Sequence, residues 1–221
     1  MGVPVGDAPM AGSIPYAVGQ ASIVRIPIPG SHGLCIEFRP RFPGDWRPLA
    51  GTTSTLFFQD LEGKRQLRLD YGHNARTKTI DYHWNQEGTL RQFGIATHTP
   101  LGAGGRAAYQ AAKYFRYAGR VLVVAGVTID IVSIVRASTP LRRASQVVAG
   151  WAGAWIGCKV VGAGGAAIGT AASPIGTAVG GTVGCIIGGF GGYAGASTLA
   201  GGVYDWSEGT FFTPVSQVSP P

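Results

Sequence analysis

The apolar positions of this chain change their period once. In residues 22–29 apolar and polar side chains alternate, residues 33–38 carry Cys35, Ile36 and Phe38, and residues 54–61 contain Leu56, Phe57 and Phe58. Two more runs, 66–71 and 79–84, flank Gly72-His73-Asn74-Ala75-Arg76. Short runs of this kind, divided by Gly, Pro and Asn, predict an antiparallel sheet of about five strands. Residues 22–100 are therefore expected to form a small β-domain, and the Gly- and Pro-rich residues 1–21 before it a mobile arm.

From Arg106 the period becomes helical, with Ala107, Ala108, Ala111, Ala112, Tyr114 and Phe115 set among Gln and Lys. Residues 121–135 follow, with Thr128, Asp130 and Ser133 as their polar groups. At 1.5 Å per residue that apolar stretch covers about 22 Å, short of a bilayer core of about 30 Å. Beyond the basic turn Pro140-Leu141-Arg142-Arg143, residues 144–172 hold one charge, Lys159, and the 45 residues 160–204 hold none. Ser173-Pro174 divides this stretch, and Pro is well tolerated in a first helical turn. The pattern predicts a helical hairpin of 144–172 and 175–204. The fold class is thus α+β: a small antiparallel β-domain, then a Gly/Ala-rich helical hairpin bundle capable of membrane insertion over 106–210, and a tail at 211–221.

Within the hairpin, Gly176, Gly180, Gly184, Gly188 and Gly192 recur at an unbroken interval of four, which Ala172 and Ala196 extend. Ile175, Val179, Val183 and Ile187 form a ridge one position earlier, and the partner segment carries Gly153/Gly157 and Gly165/Gly169. This is small-xxx-small spacing, the geometry of a glycine zipper that lets helix backbones approach closely in lipid. Each Gly costs about 1 kcal/mol relative to Ala in a water-exposed helix, so five cost about 5 kcal/mol before packing. Such a helix needs close partners, supplied either in a bilayer or in a soluble hairpin packed on the β-domain. Asp130 and Lys159 are the charges inside the apolar helices. Either they pair or line a watery path, or Lys159 snorkels to an interface while Asp130 caps a surface helix.

Composition narrows the classes. With 13% charged residues, 45% hydrophobic residues and 36 glycines, the chain is too apolar for disorder, and no Gly-X-Y period marks it as collagen. The net charge of +7, concentrated in residues 1–118, favours anionic partners. Three cysteines, Cys35, Cys158 and Cys185, have no metal-ligand spacing and read as small buried apolar residues rather than a disulfide framework. The first residues lack the basic and apolar regions of a secretory signal peptide.

One constellation invites an enzymatic reading. Asp81, His83 and Asn85 share one face of a strand, and pairing with 66–71 brings Asp70 and His73 near them. Asp81, His83 and His73 are the catalytic candidates for acid–base hydrolysis of a phosphodiester. The bland alternative is the polar face of a half-buried sheet. Gly102-Ala103-Gly104-Gly105 lacks the Lys-Ser/Thr of a P-loop and reads as a hinge. No cofactor or metal is called for.

Four segments carry a resemblance: Leu-Arg-Leu-Asp-Tyr-Gly at 67–72, Ile-Asp-Tyr-His-Trp-Asn-Gln at 80–86, Lys-Tyr-Phe-Arg-Tyr-Ala-Gly-Arg at 113–120, and Val-Val-Ala-Gly-Trp-Ala-Gly-Ala-Trp at 147–155. They resemble the C-terminal toxin regions of bacterial polymorphic toxins, among them Rhs-type and type VI secretion effectors with glycine-zipper tails. The resemblance spans residues 50–210 and includes no Rhs shell or PAAR module. It implies a contact-delivered antibacterial toxin that needs no signal peptide, is held soluble by itself or by a chaperone or carrier, and inserts into the anionic inner membrane of a target cell. It further implies self-association into a depolarising pore and a membrane-embedded immunity protein, with no nucleic acid as partner. The alternative is a hydrolase, nuclease-like, whose β-domain is translocated by the helices.

Overall fold

Along one strand Leu67 and Leu69 alternate with Arg68 and Asp70, and that alternation sorts the sheet into an apolar and a polar face. The computed structural model describes residues 10–38, 53–62, 64 and 66–212. Six strands form one antiparallel meander in chain order: β1 (Ile26–Pro27), β2 (Cys35–Phe38), β3 (Thr53–Gln59), β4 (Gln66–His73), β5 (Ile80–Glu87) and β6 (Thr99–Pro100). The central pairing sets Leu69 opposite Trp84 and Asp70 opposite His83. A bulge in β3 at Thr55 brings Ser54 opposite Asp70 while Leu56 stays opposite Leu69, so the apolar row is unbroken.

The fold is α+β, with three long helices after the sheet. They are α3 (Gly105–Arg136), α4 (Pro140–Thr170) and α5 (Pro174–Phe211); two shorter ones, α1 (Ser13–Ile23) and α2 (Leu90–Phe93), precede them. Pro140 and Pro174 occupy first turns, and the Ser173 hydroxyl accepts the Gly176 N–H at 3.0 Å, capping α5. The apolar run at 121–135 is not a separate short segment. It is the second half of α3, whose 32 residues extend about 48 Å.

Sheet and helices share one core. Ile36, Phe38, Leu56, Phe58, Leu67, Leu69 and Trp84 meet Tyr109 and Ala112 of α3, Cys158 and Ala166 of α4, and Ala178 and Cys185 of α5. Residues 102–105, expected to hinge, make a 3-10 turn running directly into α3, and a Cβ on Gly105 would lie 2.7 Å from Tyr82 Cβ.

Two expectations need correction. The mobile arm contains α1, an 11-residue helix packed against α3 and α5. Its small residues, which suggest mobility in sequence, permit contact: Gly12 and Gly19 meet Gly126 and Gly119, and a Cβ on Gly126 would lie 2.7 Å from the Tyr16 nitrogen. Residues 1–9 of the expected arm, 39–52, 63 and 65 of the expected β-domain and 213–221 of the expected tail lie outside the described residues. The second correction is a disulfide between Cys158 and Cys185, joining α4 to α5, with Cys35 free and buried. Both paired cysteines lie on the facing sides of the two helices, which their separation of 27 residues conceals in sequence.

The helix contact makes a sharp test. A Cβ on Gly157 would overlap the Gly188 carbonyl, whereas one on Gly164, also in α4, meets nothing within 4 Å. Gly157→Ala is expected to destabilise the protein by about 1–3 kcal/mol, and Gly164→Ala to stabilise it by up to about 1 kcal/mol. Thermal melts of both variants in one medium check this, and a similar response at the two positions would contradict it.

Candidate functional site

On the polar face of the sheet, β4 and β5 bring Asp70, Asp81, His83 and Asn85 together. His83 Nδ1 lies 2.9 Å from Asp81 Oδ1. The Asn74 amide donates to both Asp81 oxygens and to the His98 carbonyl, each at 3.1 Å, and Thr77 donates to Asp81 at 3.2 Å. Asp70 accepts from the Ser54 hydroxyl, from Arg68 Nε at 3.0 Å and from Asn85 at 3.1 Å. Its centre is buried, with His83 1% exposed, Asp70 3% and Asn74 0%, while the Asp81 side chain stays 25% exposed at the edge. A carboxylate–imidazole pair is suited to proton transfer, but here hydrogen bonds within the sheet occupy it. His73 does not join it. It is paired with Ile80, out of step with the Asp70–His83 pair and so on the other face, and it is exposed.

His98, which sequence reasoning overlooked, closes the cluster from the loop before β6. Its ring lies 5.4 Å from that of His83, its backbone is left-handed at φ 60°, and its buried Nδ1 has no partner. Burial of the ring, followed by the neighbouring His83, pulls its pKa below the ordinary 6.5. Among the described residues no three His, Cys, Asp or Glu converge to hold a metal ion.

Between α4 and α5 the glycines of the four-residue rows meet backbone to backbone. Gly153 faces Gly192, Gly157 faces Gly188, Gly165 faces Gly180 and Gly169 faces Gly176, while Gly184 faces Val161. Each four residues forward on α4 match four backward on α5, the register of antiparallel helices. The ridge residues Val179, Val183 and Ile187 point outward and are exposed.

Asp130 and Lys159 do not pair. Asp130 is 0% exposed and accepts from Trp151 Nε1 and the Tyr193 hydroxyl, each at 2.8 Å, with Arg143 Nη2 at 3.5 Å. Arg143 also donates from Nε to Ser133 at 2.8 Å, and Tyr16 of α1 stacks on Trp151. Lys159 instead sits over the Trp155 ring of its own helix at 4.0 Å, a cation–π contact. Arg143, placed by sequence in a basic turn, is the true counter-charge. No period links it to Asp130, because the two lie on different helices.

Two outcomes are expected. Asp130→Ala leaves Arg143 buried without its carboxylate and is expected to cost about 3–5 kcal/mol, whereas Asp130→Leu with Arg143→Met recovers most of that. Denaturant titration decides, and a double variant as weak as the single would assign the loss to packing. For His98, depressed titration means that the unfolded chain binds more protons below pH 6.5, so stability falls as pH drops through that value toward the folded pKa. Replacing it with Asn, which tolerates positive φ, should flatten the melting-temperature drop between about pH 7 and pH 5. Compared with family models, with curated proteins and with solved structures, the chain matches none.

Proposed function

We propose that this chain is an antibacterial toxin whose helices enter the inner membrane of a target cell and open an ion-conducting path that depolarises it. The observation that carries the reading is that α3, α4 and α5 are each long and apolar enough to cross a membrane. Their 32, 31 and 38 residues extend about 46–57 Å against a hydrocarbon core of about 30 Å. Their outer faces are apolar too: Ile168 is 81% exposed, Val135 76% and Leu141 74%. Large apolar side chains exposed along all three helices suit a lipid or protein partner rather than water. The resemblance of residues 50–210 to polymorphic toxin C-termini supplies the antibacterial setting, contact-dependent delivery and the membrane-embedded immunity protein.

In this reading the backbone contacts of α4 with α5 keep the hairpin together in lipid, as a glycine zipper does, and copies associate in the membrane. Asp130 and Arg143 are the buried charges that the path uses, since ionisable groups among spanning helices face a bundle interior or a watery route. The +7 net charge draws the chain to anionic lipid.

A second reading rests on the Asp81–His83 pair beside Asp70 and His98: the sheet is a hydrolase, nuclease-like, that the helices translocate. Periplasm-directed expression with a potential-sensitive dye separates the two. Rapid depolarisation, weakened severalfold by Gly184→Leu and little changed by Val183→Leu, is the expected result. If Asp81→Ala with His83→Ala abolishes killing and depolarisation persists, the hydrolase reading replaces the pore.

A further inference from the structure

Where the end of β4–β5 meets the start of α3, a cleft of about 920 Å³ opens, within the size range of small-molecule sites. Tyr71, Tyr82 and Tyr109 line it as a continuous aromatic wall, with ring centroids 4.6 Å, 5.4 Å and 6.2 Å apart. Arg106 and Lys113 face it from α3, two turns apart on one side of the helix and about 10.5 Å along its axis. Among the described residues neither cation has an ion-pair or hydrogen-bond partner, whereas Arg25 and Arg68 are paired with Glu37 and Asp70. Between them Gln110 presents a buried amide oxygen that no donor reaches. A buried acceptor left unmade is costly, and a ligand N–H or O–H is what would satisfy it.

From this geometry we infer that the cleft binds a phosphate ester bearing a planar ring, a ligand of the nucleotide class. Arg106 and Lys113 take the phosphate oxygens, because cations without partners at the mouth of a cleft supply charge-assisted hydrogen bonds. The exposed face of Tyr71 stacks the ring, and Gln110 accepts from an exocyclic amine or a sugar hydroxyl. Asp81, which also lines the cleft, is already held by Asn74, Thr77 and His83, and offers acceptor oxygen to hydroxyls rather than competing for the cations. A lipid headgroup shares the phosphate but carries no ring and leaves the tyrosine wall without a role. The inference does not rest on the pore reading and stands or falls separately from it.

Calorimetry of the full chain tests it, in detergent micelles with ADP and with inorganic pyrophosphate, and after detergent removal with vesicles containing phosphatidylglycerol. ADP is expected to bind more tightly than pyrophosphate. Arg106→Glu and Lys113→Glu should each weaken ADP by about tenfold, Tyr71→Leu by severalfold, and Lys78→Glu, outside the cleft, not at all. Circular dichroism melts confirm that each variant folds. No ADP binding up to about millimolar concentration overturns the proposal, as does binding that ignores both charge reversals. Equal affinity for pyrophosphate and ADP with Tyr71→Leu silent reduces the cleft to a surface anion patch. Vesicle binding that both reversals abolish, with no ADP binding, assigns the cations to a lipid headgroup instead.

Discussion

The approach of the α4 backbone to that of α5 is the constraint on which the rest depends. At Gly157, Gly165, Gly169, Gly180, Gly188 and Gly192 a Cβ would overlap a carbonyl of the other helix. The two helices therefore stay this close only while those positions are bare. Close approach carries Cys158 to Cys185 and so makes their bond possible. It also thins the hairpin enough for the sheet to sit on it, since a Cβ on Gly181 would lie 2.6 Å from Ile36 Cδ1 and one on Gly162 3.0 Å from Ile26 Cγ2.

At the other end of the bundle a buried charge sets a second constraint. Asp130 is tolerable only where donors surround it, and those donors come from α4 and α5, with α1 laid across the site through Tyr16 and Gly12. Such a cluster adds little net stability over an apolar one of equal volume, but it is destabilising when half assembled. It therefore favours one registry of four helices over neighbouring ones. Arg142 donates to Asp205 through two bonds of 2.6 Å and 2.8 Å just beyond it, tying the start of α4 to the end of α5 at the surface.

How much of this was legible follows from where each interaction lies in sequence. Strand alternation at Leu67–Asp70 and the division at Ser173-Pro174 are local, so pattern and turn chemistry reveal them. The four-residue glycine interval is likewise written on a single helix. Helix α1 was masked by its composition, because Gly12 and Gly19 look the same whether they are mobile or packed. The Asp130–Arg143 pair, the Cys158–Cys185 bond and the tyrosine wall join residues with no shared period, and only the folded chain brings them together. His73 was misplaced by parity: one step along β4 from Gly72 sends a side chain to the opposite face. His98 had no local signal, since a lone His in a loop is silent until its neighbours are known.

The shared core limits how these helices can meet a bilayer. Tyr109, Ala112 and Phe115 of α3, Cys158 and Ala166 of α4, and Ala178 and Cys185 of α5 are all packed with the sheet. That end cannot enter lipid without stripping the polar sheet from its apolar face. Beyond it, residues 119–136 of α3 run about 27 Å, close to the thickness of a hydrocarbon core of about 30 Å. Along that length α1 meets α3 through Gly12, Gly19 and Tyr16, and the Asp130 cluster lies inside. The far end carries Arg136, Arg142, Asp205 and Glu208, with Trp206 and Phe211 in edge contact at 5.9 Å, the mixture of charge and aromatic rings that suits a membrane boundary. For the membrane insertion proposed above, two routes are open to the chain. The far half of the bundle enters lipid as packed and leaves the sheet at the surface, or the hairpin leaves the sheet and gives up the core that Ile36, Leu67 and Leu69 build. The first keeps every buried contact, including the donors of Asp130. The second exposes an apolar sheet face to water, and membrane burial of the helices must more than offset that loss.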